Sequence, residues 1–116
     1  MLIFTEPSEV FAKREDPAEA PACWYASTSY MGAIAPAGIM VNGDGQHPPH
    51  TATTVRVRNG KREVQDASYA DLKEQLGGYV VIKVAGLDAA LDWAAKSPSA
   101  EYGSAEVHPV LPPPAC

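Results

Sequence analysis

The sequence predicts an α+β fold of the ferredoxin-like kind, a split βαβ arrangement with a β-hairpin inserted into it. Three observations predict it. Asn59-Gly60 sits between two alternating runs and supplies the pair of positive φ angles that a two-residue hairpin turn requires. Tyr79 to Val84 is a β-branched run of strand type, and Leu87, Ala90, Leu91 and Ala94 recur at i, i+3, i+4 and i+7, the period of a helix. Apolar segments follow the order strand, helix, strand, hairpin, strand, helix, strand. Without the hairpin this is a split βαβ unit with two helices on one face of an antiparallel sheet.

Met1 to Phe4 is apolar and stops at Thr5-Glu6-Pro7, which suits a short buried strand. Residues 6 to 21 hold Pro7, Pro17 and Pro21 among Glu, Asp and Ala, so an irregular or partly helical lead-in is expected. From Trp24 to Ala35 a helix is expected, with Trp24, Thr28, Met31 and Ala35 as its apolar stripe, Tyr25 and Ile34 widening it, and Pro36 and Gly38 ending it. Ile39-Met40-Val41 reads as a strand entering Asn42-Gly43-Asp44-Gly45, whose glycines indicate a bulge or a closely approached backbone. Gln46 to His50 is loop.

In the hairpin, the turn sets Val55 opposite Val64 and Arg56 opposite Glu63, with the valines expected toward the core. Asp66 to Leu76 reads as loop with room for one helical turn, ended by Gly77-Gly78 before the strand from Tyr79. Gly86 precedes the second helix, Asp88 lies in its first turn, and Ser97-Pro98 closes it. A last strand from Ala105 to Val110 leads into Pro112-Pro113-Pro114, which cannot continue a sheet.

The 116 residues, 46% hydrophobic, suit one domain spanning 1–116. A net charge of −5 and no basic run beyond Lys61-Arg62 give no footprint for nucleic acid or an anionic membrane, which leaves protein or a small molecule as partner. Met1 to Phe4 is too short for a signal or membrane segment, so a cytoplasmic location is expected. Cys23 and Cys116 form no disulfide framework or metal spacing. Two helices cover one face of the sheet, and a second copy is the expected cover for the other, making a homodimer.

The segments Thr51 to Lys61, Lys73-Glu74-Gln75-Leu76-Gly77-Gly78-Tyr79, Leu87 to Ala94 and Glu106 to Val110 together resemble the DGPF subgroup of the YCII-like family. The resemblance implies a dimeric α/β-barrel type of fold, a small bacterial homodimer, and an activity largely unassigned. It also implies an alternative to enzyme function: a regulatory or interaction module associated with extracytoplasmic-function sigma factor signalling. Where the subgroup carries Asp-Gly-Pro-Phe, this chain has Asp66-Ala67-Ser68-Tyr69, keeping the acid and the ring but neither turn residue. Function resting on that turn therefore does not carry over.

Asp66 near Lys73 and Glu74 supplies a carboxylate, a cation and a second acid, the ingredients of proton transfer; the plainer reading is an aspartate capping its own turn. His108, expected in a strand, can act near neutral pH or neutralise an anion, though a strand histidine more often makes an ordinary hydrogen bond. The subgroup commonly carries Arg or His here. With Tyr69 and Tyr79 added, the expected site is Asp66 and His108 as acid or base, and Lys73, Glu74, Tyr69 and Tyr79 around a small polar or anionic organic ligand. His47 and His50 are separated by two prolines, which forbid the helix that would present both, and no third ligand accompanies them, so neither metal nor cofactor is expected.

Overall fold

Strand β1 (Leu2–Pro7) runs inside a four-stranded antiparallel sheet of order β2-β5-β1-β6, where β2 is Met40–Gly45, β5 is Glu74–Ile82 and β6 is Ser104–Val107. A computed structural model describes residues 1–66 and 74–111, with the backbone alone at residue 74. Helices α1 (Ser8–Glu15) and α2 (Ala20–Ile34) follow β1; α3 (Leu87–Ala95) and α4 (Pro98–Tyr102) lie between β5 and β6. β3 (Thr53–Arg58) and β4 (Lys61–Asp66) form a separate two-stranded sheet.

Register decides which side chains meet. Leu2 pairs with Val80 and Val107, and Phe4 with Gly78 and Ala105, so these residues share one face. Met31, Trp93 and Ala94 pack onto that face, and Leu2, Val80 and Ile34 are sealed from solvent. Ile3, Tyr79 and Glu106 form the alternate row on the other face. The molecule's smallest dimension is 18 Å, the thickness of one sheet and one helical layer.

Ser8–Glu15 is a helix with Phe11 buried beneath it, the helical of the two alternatives expected for this lead-in. Several local expectations need correction. In α2 the buried residues are Tyr30 and Ile34, while Trp24, Tyr25, Thr28 and Ala35 are exposed; the inward stripe is rotated by one residue from the expected one. Helix α3 buries Ala90 and Ala94 and leaves Leu87 and Leu91 outside, because small side chains let it sit close to the sheet. Ser97 closes α3 as expected, its hydroxyl donating to the Ala94 carbonyl at 2.7 Å, and it also begins a further short helix, α4, by accepting from the Ala100 N–H at 3.3 Å. β6 stops at Val107, so His108 lies just beyond the strand; Pro109 has no N–H to extend the ladder.

Gly77 and Gly78 lie within β5 rather than before it. A Cβ on Gly43 would stand 2.9 Å from the Tyr79 carbonyl oxygen, so glycine lets β2 approach β5, and the register shifts between Met40 and Asn42. The hairpin has the expected register, Val55 opposite Val64 and Arg56 opposite Glu63, with φ of 52° at Asn59 and 74° at Gly60. Its facing is reversed: Thr54 and Arg56 are half-buried, and Val55, Val57 and Val64 remain 57–62% exposed.

Candidate ligand cleft

In the strand β1, Leu2, Phe4 and Glu6 alternate on the core-facing side, which places a carboxylate where an apolar residue would continue the row. Glu6 is 4% exposed. A charge so buried needs a partner, and α1 brings Arg14 back over it. The Arg14 Nη2 donates to Glu6 Oε1 at 2.9 Å, and Ser99 Oγ from α4 donates to the same oxygen at 2.7 Å. Glu6 Oε2 lies 2.7 Å from the same Nη2, an ion-pair contact shut off from solvent. The guanidinium is held from its other sides by rings, 5.3 Å from the centre of Phe11 and 5.5 Å from that of Trp24.

Above this pair opens a cleft of about 730 Å³ between α1, α2 and the β2 edge of the sheet. Phe4, Tyr30 and Met31 contribute to its apolar wall. Phe4 and Tyr30 meet edge to face at 6.0 Å, and the Tyr30 hydroxyl donates to the Trp93 carbonyl at 2.8 Å. Burial pushes the Tyr30 phenol up to about 12, so it stays neutral and serves as a fixed donor rather than a base. On the other face of the sheet, Tyr79 donates to Asp44 Oδ2 at 3.3 Å and accepts from Asn42 Nδ2 at 3.4 Å, bracing the β2 edge. Beyond β2, Gln46 N–H donates to the Gly77 carbonyl at 2.9 Å, tying down the loop that carries His47 and Pro48 along the cleft. Among the described residues the charged lining comprises Glu6, Glu15 and Asp44 against Arg14, with His47 exposed beside them.

Of the residues expected from sequence to form a site, Tyr79 borders this cleft along β5, its side chain on the face it shares with Ile3. Asp66 ends β4, exposed and opposite Thr53, and does not line it. His108 is also exposed and outside it, with Nε2 3.4 Å from Glu106 Oε2; its backbone N–H donates to the Met1 carbonyl and its carbonyl accepts from the Met1 amino group. Glu74 opens β5, its backbone opposite Pro7, and Tyr69 and Lys73 lie outside the described residues. Among the described residues no group of three His, Cys, Asp or Glu could hold a metal, and no helix is long and apolar enough to cross a membrane. Glu6 and Arg14 escaped the sequence reading. Their signal was the acid in the apolar alternation of β1.

The sequence model of the YCII-related domain matches residues 2–113, and the chain belongs to that family. It is also similar to an uncharacterized protein of Rhizobium meliloti (strain 1021), 42% identical over 65 residues, which are 54% of this chain and 52% of that protein. The match thus spans about half the length of this curated relative.

Proposed function

We propose that this YCII-related chain is a small-molecule-binding protein whose ligand sits in the cleft between α1, α2 and the β2 edge, in a homodimer that covers the exposed sheet face and hairpin. One observation carries the binding reading: an aromatic-walled cleft of about 730 Å³ whose lining includes the Glu6–Arg14 ion pair. Sites for small organic molecules have this character, mostly apolar walls around a few fixed polar groups. The polar half of the ligand reading keeps its support. The anionic half has less, because among the described residues carboxylates outnumber the guanidinium that lines the cleft, which is engaged by Glu6 and two rings.

Support for the dimer is the two-layer thickness together with the outward valines of the hairpin, since an isolated two-stranded hairpin is marginally stable in water. Asp66 and His108 lie outside the cleft of one chain, so they act there only if the second copy supplies them. Proton-transfer chemistry by that pair stands or falls with this contribution.

The cleft is tested by fragment binding monitored through amide shifts of the full chain. Fragments should move resonances of Met31, Gly78 and Tyr79, and Thr28→Trp, which adds bulk at an exposed cleft position, should remove those shifts without altering the melting temperature. Shifts confined to other surfaces overturn the reading. If Asp66→Asn and His108→Ala leave fragment affinity unchanged, those residues leave the site. Light scattering at micromolar concentration should give twice the mass of the chain, and a compact monomer rules out the dimer.

A further inference from the structure

The hairpin and the open face of the main sheet complement each other in charge and in apolar character, and both stand open in one chain. Residues 53–66 carry four of the nine Lys and Arg and two of the fourteen acids, a net charge of +2 that leaves −7 for the rest of the chain. The hairpin is the basic arm of an acidic protein. Its register puts Val55, Val57, Arg62 and Val64 on one face, where the three valines are 57–62% exposed and Arg62 is open beside them. Half-buried Thr54 and Arg56 mark the face turned toward the arm's own chain. The radius of gyration, 16.2 Å against about 13 Å for a compact chain of this length, fits an arm that stands off the body.

On the sheet face away from the helices, Ile3 pairs with Tyr79 and Glu106, Thr5 with Leu76, Asp44 with Tyr79, and Asn42 with Val81. Apolar Ile3, Leu76, Tyr79 and Val81 therefore share that face with two acids, Asp44 and Glu106. None of the four strands contains a Lys, Arg or His. Of the two acids, Asp44 already accepts from the Tyr79 hydroxyl, whereas Glu106 faces only the His108 imidazole at 3.4 Å among the described residues.

Resting on the homodimer reading above, we propose that the dimer forms by reciprocal exchange of arms: the valine face of each hairpin lies across the open sheet face of the second copy, with Arg62 directed to the partner's Glu106. A second copy is the occupant because one chain carries both halves of the contact, and a two-fold axis then makes it twice. Each contact removes the arm's valines and the partner's sheet row from water together.

Two charge reversals at exposed positions, Arg62→Glu and Glu106→Lys, test this by sedimentation equilibrium of each variant alone and of the two mixed. Alone, either variant sets like charges together at both contacts of its dimer, and its dissociation constant should rise about tenfold or more. Mixed in equal amounts, the variants should form a heterodimer near the affinity of the unmodified chain, because both contacts then join opposite charges. Packing of sheet on sheet without the arms gives no such recovery. If the unmodified chain is dimeric but both variants dimerise as tightly, or the mixture associates no better than either variant alone, arm exchange is overturned and the dimer reading stands. A monomeric unmodified chain overturns both.

Discussion

The β1–β5 pair and the β3–β4 hairpin are both antiparallel, yet they owe their form to different causes. The hairpin is regular, with an unbroken ladder from Thr53 opposite Asp66 to Arg58 opposite Lys61, and its apolar row is open to solvent. The β1–β5 pair is irregular, its register shifting between Phe4 and Thr5, and its apolar row is sealed, with Leu2 at 0% and Val80 at 1% exposure. Local turn chemistry fixes geometry without burying anything, whereas burial fixes a pairing distant in sequence and tolerates a bulge. Regularity is therefore a poor guide to where the stability resides.

The largest expected effects lie on the β1 side. Glu6→Ala should cost about 3–5 kcal/mol, because Arg14 is left partly buried without its counter-charge. Leu2→Ala should cost about 2–5 kcal/mol as a cavity opens in the core. Val55→Ala, in the dilute monomer, should stay within about 0.5 kcal/mol, as exposed positions do. Denaturant unfolding checks all three. A Val55→Ala effect that grows with protein concentration would instead place that face in a subunit contact; a large effect independent of concentration would break the contrast.

A second test uses the phenol packed against Phe4 of β1. Tyr30 ionises near 10 when unfolded and near 12 in the fold, where burial disfavours its charge. Between those values the unfolded chain loses a proton that the native chain keeps. Stability is thus whole below pH 10 and falls as pH rises toward 12, by about 2–3 kcal/mol in total from this group. Tyr30→Phe should remove that part of the slope, while costing about 1 kcal/mol at neutral pH for the lost bond to the Trp93 carbonyl. Urea unfolding of both proteins from pH 8 to 11.5 measures it. Parallel pH dependences would mean that the phenol is open to solvent.

The same contrast explains what was legible in the sequence. Asn59-Gly60 encodes its own backbone angles, so the hairpin register could be read from adjacent residues. Helical period reveals that a stripe exists but gives weak discrimination between neighbouring stripes. Trp24 and Thr28 stay exposed while Met31 and Ile34 pack inward beside Tyr30, and within the expected α3 stripe Ala90 and Ala94 are buried but Leu87 and Leu91 are not, because close packing on the sheet favours small residues over bulky ones. The cleft was harder still. Arg14 is eight residues from Glu6 across a strand-to-helix junction, and Ser99 is 93 residues away, so their meeting at one carboxylate is a product of topology. The expected Asp66 and His108 were chosen for chemical type, and type alone does not bring residues together.

The smallest expected effect separates the two regions most directly. Gly60 has a φ of 74°, and alanine there costs about 1 kcal/mol because its Cβ crowds the neighbouring carbonyl. If the hairpin opens on its own, Gly60→Ala should raise hydrogen exchange of the Val55 and Val64 amides about fivefold, while Leu2, Val80 and the melting temperature stay as they were. If hairpin and core unfold together, the same cost should appear as a fall of about 4 °C in melting temperature, with exchange changing throughout both sheets. The first outcome keeps a locally determined hairpin attached to a core that does not depend on it. The second would mean that the contacts behind half-buried Thr54 and Arg56 couple the two sheets, and the outward valines would then no longer mark a region held separately from the core.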